Sequence, residues 1–268
     1  MPNQAIAVER PTIILKQAWA FCRKDLKKLG LIYLIFNLPL VIISFFPVAN
    51  ISSDQKLNFA QILGFIFSVI VNSWGHITLL LSAHKVTGDA GYSIGQSIKE
   101  AKNFLLKYLA LILSVALIVS GFIILAGVSA TIMLPFLLKI NRILSIVFGS
   151  FLLITVIVLL VFYILRWSLS ALTCVFENLQ PIAALKLSFS LINQHINTVV
   201  GVYGLIILIY IAGLFPVMLM GIWGGLGQSS NSPFNLVATI YTTFINIVFV
   251  PFWTMATVVL YKKLKEVL

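Results

Sequence analysis

The chain has 268 residues, of which 60% are hydrophobic and only 9% are charged, and its formal net charge is +11. About a quarter of the residues of a water-soluble domain are charged, so this composition excludes an ordinary soluble protein and predicts one that lies mostly in lipid. The positive charge does not call for nucleic acid as a partner, because anionic lipid headgroups are enough to attract it. The two cysteines, Cys22 and Cys174, exclude a framework of several disulfides.

Six apolar runs in the sequence are each long enough to cross a bilayer as a helix, which takes about 20 residues. We place them near Leu29–Pro47, Ala60–Ala83, Tyr108–Leu134, Leu144–Leu165, Thr198–Ile222 and Leu236–Tyr261. Helices are favoured over strands because the runs do not alternate in polarity and because lipid offers no partner to a free main-chain N–H or C=O group. The sequence therefore predicts an all-α, six-span membrane protein, with residues 1–268 as a single transmembrane domain.

The basic residues lie mostly on one side of these six spans. Of the chain's 18 lysines and arginines, only Lys56, Lys139 and Arg142 fall on the opposite side. The positive-inside rule therefore predicts that both ends of the sequence face the cytoplasm. On that side we expect contacts with the anionic headgroups of membrane lipids.

A half-polar stretch recurs before the first, third and fifth spans, and we call its copies the first, second and third basic segments. They read PTIILKQAWAFCRKDLKKLGLIY from Pro11 to Tyr33, IGQSIKEAKNFLLKY from Ile94 to Tyr108, and PIAALKLSFSLINQHINTVVGVY from Pro181 to Tyr203. In the alignment of the three, Lys16, Lys99 and Lys186 share one position, and a small residue follows two places later in each copy. Apolar residues recur at steps of three and four, which predicts an amphipathic helix at the cytoplasmic interface with its lysine among the headgroups.

The even-numbered spans also share a feature, since Trp74, Trp167 and Trp253 each precede a polar boundary. Together with the basic segments, they predict three pseudo-repeats near residues 11–83, 94–176 and 181–261. Each repeat would be one interfacial helix followed by a helical hairpin. The alternative is that any short basic helix before a span looks similar, so that the likeness is an accident of composition.

Several short motifs resemble those of a group of bacterial six-helix inner-membrane proteins. The motifs are Arg166-Trp167, Glu177-Asn178, the run AALKLSFSLI, and a closing pattern of Pro251, Ala256, Leu260-Tyr261 and Leu264. The group includes the YciC-like proteins and the membrane domain fused to some glycerophosphodiester phosphodiesterases. The resemblance covers nearly all of the chain and implies a six-helix fold in the bacterial inner membrane. It implies no particular chemistry, because the phosphodiesterase catalytic domain has no counterpart in this sequence.

The ionisable residues do not form a pattern typical of a catalytic, cofactor-binding or metal site. None of the seven acidic residues lies near the middle of a predicted span. His76 and His84 are about 12 Å apart along one helix, which is too far for a shared metal ion. The sequence also contains no glycine-rich phosphate-binding loop with its lysine. We therefore expect a non-enzymatic protein without a cofactor.

Polar residues inside the predicted spans leave two functions open. Asn72 and His76 in the second span and Asn246 in the sixth predict either ordinary hydrogen bonds between helices or a polar path between hairpins. The sequence favours a membrane-organising protein that binds lipids or a partner. The alternative is a small transporter or channel, which a water-filled cavity lined by these three residues would favour.

Arg166 stands near the end of a run that is too long to cross the membrane. From Leu144 to Phe176 a straight helix would measure about 50 Å, against a hydrocarbon core of about 30 Å. Either the helix tilts and Arg166 is buried, or the helix bends and Arg166 reaches the headgroups. We favour the bend, with Arg166 bonded to main-chain carbonyls or to an acid of another segment. Glu177 is expected close to the start of the helix at Pro181, whose N–H groups it would complement. Both residues are expected to have structural rather than catalytic roles, as are the three aligned lysines.

Overall fold

The computed structural model describes residues 9–45, 59–88, 91–223 and 233–267. Over these ranges the chain is almost entirely helical and contains no strand, so the all-α prediction is confirmed. The helices of this part are α1 (Pro11–Phe45), α2 (Phe59–Thr87), α3 (Ile94–Ile140), α4 (Arg142–Trp167), α5 (Ser170–Phe176), α6 (Pro181–Gln194), α7 (Ile196–Trp223) and α8 (Pro233–Glu266).

Five helical segments among the described residues are long and apolar enough to cross a membrane. They are Ile62–Thr87, Ile94–Ile140, Arg142–Phe176, Ile196–Leu219 and Val237–Glu266, and they contain most or all of the second to sixth predicted spans. The first predicted span belongs to α1, and its last residues, 46 and 47, lie outside the described ranges. The structure thus agrees with a multi-pass helical membrane protein.

The chain forms two compact units, where the sequence predicted a single domain. The first unit comprises Met1–Leu105 and His195–Leu268, and the second comprises Leu106–Gln194. In the first unit α1 packs against α2, α7 and α8, and α8 also packs against α2 and α7. In the second unit α6 packs against α4 and α5.

Two glycines of the first unit allow helices to approach α1 closely. A Cβ atom on Gly75 of α2 would lie 2.7 Å from the Cβ of Phe36, and one on Gly201 of α7 would lie 2.7 Å from the Cγ of Pro11. Any larger residue at either position would force the helices apart. Gly201 therefore fixes the start of α1 near the start of α7, and Gly75 fixes the later part of α1 against α2.

The first and third basic segments are interrupted before their spans, but the second is not. Asp25 has non-helical dihedral angles (φ −122°, ψ 21°) inside α1, and His195 separates α6 from α7. Tyr108, at the corresponding position of the second basic segment, lies within the unbroken α3. The prediction of a separate interfacial helix at Ile94–Tyr108 is therefore wrong. The 47 residues of α3 measure about 70 Å, so this helix must extend well beyond a hydrocarbon core.

The first and third basic segments bury the same aligned positions. The buried residues are Ile14, Leu15, Ala18 and Cys22 in the first, and Ala184, Leu185, Ser188 and Ile192 in the third. The second segment buries Ser97 and Ala101 at the first and third of these positions. In all three segments the aligned lysine is exposed. Each basic segment therefore presents one face to the protein and its lysine to the surroundings.

Candidate functional site

An apolar groove in the first compact unit lies between α1, α7 and α8. Its volume is about 460 Å³. The residues that line it come from three helices and are Leu15, Lys16 and Trp19 of α1, Ile209, Tyr210 and Gly213 of α7, and Ile245, Val248, Phe249 and Phe252 of α8. Lys16 is the one charged residue in this lining, so the groove combines an apolar wall with a cationic group.

Aromatic side chains stiffen the wall of this first groove. The ring of Trp19 meets that of Phe252 edge-on, with 5.7 Å between centroids. The rings of Tyr210 and Phe249 lie 4.3 Å apart, and Phe249 also contacts Phe252. Because aromatic rings are large and have few rotatable bonds, these contacts hold the groove open in a defined shape.

A second apolar groove, of about 570 Å³, lies in the second compact unit. Its lining residues are Ser114, Leu117 and Ile118 of α3, Trp167 of α4, and Ile182, Leu185, Lys186 and Phe189 of α6. Three of them, Leu185, Lys186 and Phe189, align with three residues that line the first groove, Leu15, Lys16 and Trp19. The same leucine, lysine and aromatic positions of a basic segment therefore line both grooves.

Arg166 supports the wall of the second groove from behind. Its side chain is buried, with 8% of its surface exposed, and its guanidinium lies 3.4 Å from the ring centroid of Phe162 and 4.7 Å from that of Phe189. One amino group, Nη2, donates to Oδ1 of Asn193 at 2.7 Å, while Nε and Nη1 are buried without a hydrogen-bond partner. The hydroxyl of Ser188 donates to the main-chain carbonyl of Arg166 at 2.7 Å.

The structure interrupts the helix where a bend was predicted, because α4 ends at Trp167 and α5 begins at Ser170. A change of direction at this point stays a prediction. The predicted partners are wrong, because the guanidinium bonds to a side-chain amide and stacks on two aromatic rings instead of bonding to a carbonyl or an acid. The side chain is also buried in protein rather than extended toward headgroups. The sequence signal for this partner is weak, since Asn193 is one of several polar residues on the exposed face of the third basic segment.

The turn between α5 and α6 is held by a lysine. The main-chain N–H of Glu177 closes α5 on the carbonyl of Thr173 at 3.2 Å, and Glu177 is half-buried. Asn178 then adopts a left-handed conformation (φ 53°), and Nζ of Lys107 donates to its side-chain oxygen at 2.6 Å and its carbonyl at 3.3 Å. The predicted contact of the Glu177 carboxylate with the start of α6 stays a prediction.

The polar residues predicted inside the spans have different environments. Asn246 of α8 accepts a hydrogen bond from Tyr210 at 3.3 Å, and its side chain also bonds to that of Tyr33. On α2, Asn72 is exposed and His76 is half-buried. Neither groove is lined by Asn72, His76 or Asn246. The contacts of Asn246 are those of a hydrogen bond between helices.

The second basic segment contacts α2 through polar groups. The indole N–H of Trp74 donates to the carbonyl of Ile98 at 3.0 Å, and Lys85 forms an ion pair with Glu100 at 2.6 Å. These contacts fix the start of α3, within the first compact unit, against α2. In the alignment, Ile98 stands where Leu15 and Leu185 stand in the other segments.

No family model, curated protein or solved structure matches this chain.

Proposed function

We propose that this chain is a non-enzymatic, six-span protein of the bacterial inner membrane, similar to the YciC-like proteins, that binds membrane lipids and organises them around itself. The observation that carries the proposal is the pair of apolar grooves, each lined by the aligned leucine, lysine and aromatic residue of a basic segment. A groove of this composition suits a molecule with an apolar chain and an anionic head.

Three pseudo-repeats would explain why the grooves share these residues. Support comes from the even-numbered spans, where residues at the same distance from Trp74, Trp167 and Trp253 are buried together. The buried sets are Ser73, Arg166 and Phe252; Ile77, Ser170 and Ala256; and Leu79, Leu172 and Val258. Shared burial at aligned positions is expected of repeats that pack in the same way and is not expected of a likeness in composition alone.

The contacts of the basic segments support the same repeats. Each segment contacts the second helix of another proposed repeat: the first through Trp19 and Phe252, the second through Ile98 and Trp74, and the third through Ser188 and Arg166. In the third segment the contact is extended by the hydroxyl of Thr173, which donates to the carbonyl of Ala184 at 3.0 Å. A repeated interface of this kind would hold each lysine at a comparable place on the protein surface.

The cytoplasmic side of the membrane is the proposed place for these lysines and for both ends of the sequence. The proposal follows from the positive-inside rule, since all but Lys56, Lys139 and Arg142 of the 18 basic residues fall on one side of the six predicted spans. Anionic lipids of that leaflet would then meet a surface that carries most of the positive charge of the chain.

Transport is the weaker alternative. It would be favoured by a cavity lined by Asn72, His76 and Asn246, and neither groove contains these residues. Asn246 is also hydrogen-bonded to Tyr210, a contact that a helix interface alone explains.

Lipid analysis of the purified protein tests the proposal. The protein would be extracted from its native membrane in a mild detergent, and the bound lipids and proteins would be identified by mass spectrometry. We expect anionic phospholipids to be enriched over their share of the membrane, and the combined replacement of Lys16, Lys99 and Lys186 by Gln to reduce that enrichment. The matched control replaces Lys56, Lys139 and Arg142 by Gln and should leave the enrichment unchanged. A lipid content identical to that of the bulk membrane, with a stoichiometric protein partner instead, would overturn the proposal.

A further inference from the structure

We propose that each groove holds one acyl chain of an anionic phospholipid, whose phosphate contacts the lysine in the groove lining: Lys16 in the first groove and Lys186 in the second. This inference rests on the lipid-binding function proposed above and assigns it to two sites.

The composition of the grooves selects an acyl chain over water. A water molecule in a buried site needs two to four polar partners, and the linings consist almost entirely of aliphatic and aromatic side chains. Both volumes fall within the range of about 300–1,000 Å³ that is typical of ligand pockets. Because α7 and α8 beside the first groove, and α3 and α4 beside the second, contain segments long and apolar enough to cross a membrane, the abundant apolar molecule around the grooves is lipid.

The first groove extends along the membrane-crossing helices as an acyl chain does. The start of α1 packs at Gly201, near the beginning of α7, whereas the groove reaches Gly213 of the same helix. On α8 the lining residues run from Ile245 to Phe252, which is about 10 Å of helix at 1.5 Å per residue. Part of an acyl chain whose headgroup is at Lys16 would therefore fit between α7 and α8.

Charge complementarity favours an anionic headgroup at both grooves. Lys16 and Lys186 are both exposed, so their ammonium groups are available to a phosphate. Two turns beyond Lys16, on the same face of α1, stands the exposed Arg23. The residue aligned with Arg23 in the third basic segment is Asn193, which is neutral and is bonded to Arg166. Each groove therefore has a second basic residue near its lysine: Arg23 at the first, and at the second the buried Arg166, whose guanidinium lies against Phe189 of the lining.

The test uses a photoactivatable phosphatidylglycerol, with a diazirine in its acyl chain, in nanodiscs of phosphatidylcholine that contain the full chain. Mass spectrometry then identifies the labelled residues. We expect labels at the lining residues 15–19, 209–213 and 245–252 of the first groove, and at 114–118 and 182–189 of the second. Labels spread evenly over the lipid-facing helices would overturn the inference.

Two substitutions fill one groove each and serve as controls for one another. A Cβ atom on Gly213 would lie 3.7 Å from Ile245, so Gly213→Leu fits its helix and places its side chain in the first groove. Ser114→Leu places a larger side chain in the second groove. It should leave the packing between helices intact, since the Ser114 hydroxyl bonds to the carbonyl of Ala110 in its own helix. Each variant should lose at least fivefold of the label in its own groove and retain the label in the other. Labelling that neither substitution changes would overturn the inference.

The lysines are tested by competition between phosphatidylglycerol and phosphatidylcholine. Lys16→Gln and Lys186→Gln should each reduce the preference for phosphatidylglycerol in the corresponding groove about fivefold, which is equivalent to about 1 kcal/mol for one basic residue near an anionic surface. Lys99→Gln is the matched control, because Lys99 holds the aligned position and lines neither groove. An equal effect of all three substitutions would contradict the assignment of the headgroup to Lys16 and Lys186.

The outcomes separate this inference from the proposed function. If anionic lipid co-purifies but the photolabel avoids both grooves, the lipid-binding function stands and the two sites are wrong. If no lipid is enriched at all, both fail. Crosslinks from groove residues to a second copy of the chain would show that protein, and not lipid, covers these surfaces.

Discussion

Asp25 and His195 stand at the same distance from the prolines that begin the first and third basic segments, and each interrupts a helix there. Asp25 leaves helical geometry inside α1, and His195 lies between the end of α6 and the start of α7. The carbonyl of His195 accepts the N–H groups of Thr198 and Val199, which starts the next helix. Tyr108, the aligned residue of the second basic segment, shows no such break. The first and third basic segments are thus interrupted before their spans, whereas the second is the beginning of the unbroken helix α3.

The depth of the three aligned lysines in the membrane tests the proposed repeats. Spin labels at positions 16, 99 and 186 should report the same headgroup depth on the cytoplasmic side, because the aligned residues have the same exposure on similarly buried helices. Accessibility to oxygen and to a polar relaxation agent measures that depth. A label at the level of the hydrocarbon core, or on the opposite side, would show that the repeat is an accident of composition.

Substitutions at Arg166 and Asn193 test the buried guanidinium. Asn193→Ala removes the hydrogen bond that the buried guanidinium donates, so we expect it to lower the free energy of unfolding by about 1.5–3 kcal/mol. Arg166→Met should cost less, because it removes the charge and its desolvation while keeping an unbranched side chain between Phe162 and Phe189.

The double variant Arg166→Met/Asn193→Ala should then be no less stable than Arg166→Met alone. Unfolding in mixed micelles with increasing fractions of a denaturing detergent measures all three. Ser188→Ala is the control, since its hydroxyl bonds to the main-chain carbonyl of Arg166 and should act additively, at about 1 kcal/mol. Additive losses for Arg166 and Asn193 would mean that their contact is not energetically important.

The thiol of Cys22 reports whether the first basic segment is docked. Cys22 is fully buried, and burial raises its pKa to about 12. Since the thiolate is the reactive form, we expect alkylation by N-ethylmaleimide at pH 8 to be at least about a hundredfold slower than for an exposed cysteine. The experiment uses Cys174→Ser, with Lys16→Cys in a Cys22→Ser background as the exposed control. Similar rates for the two thiols would show that this segment is not packed against the protein.

Reporter fusions test the proposed topology. Fusions after Asp54, after Ile140 and after Ser230 should all report the periplasmic side, because the basic residues concentrate on the other side of the spans. Fusions after Lys85, Asn178 and Lys265 should report the cytoplasm. A cytoplasmic report from any of the first three would contradict the six-span arrangement.

Hydrophobic periodicity predicted the helical segments and the amphipathic pattern of the basic segments, because the residues that share one face of a helix follow from their spacing. It did not predict that α3 continues through Tyr108, since an amphipathic pattern has the same period whether the helix goes on or turns. The interruption after Arg166 lies where a comparison of lengths predicted a bend. Its partner Asn193 was not predicted, because that hydrogen bond depends on how α6 packs against α4.

The two grooves could not be predicted from the sequence. The leucine, lysine and aromatic positions were visible in the repeat, but whether they line a groove depends on residues far along the chain. Phe249 and Phe252 complete the first groove from α8, and Ser114 and Leu117 complete the second from α3. The spacing of these residues along the chain does not indicate that they come together when the helices pack.

The central claim is that this protein binds lipid through the grooves beside Lys16 and Lys186. It is tested most directly by an electron cryomicroscopy structure of the protein in nanodiscs of native lipids. We predict elongated density in the groove between α1, α7 and α8, with its wider end at Lys16, and corresponding density beside Lys186 between α3, α4 and α6. Grooves closed by their own side chains, or occupied by a helix of another protein, would contradict the account.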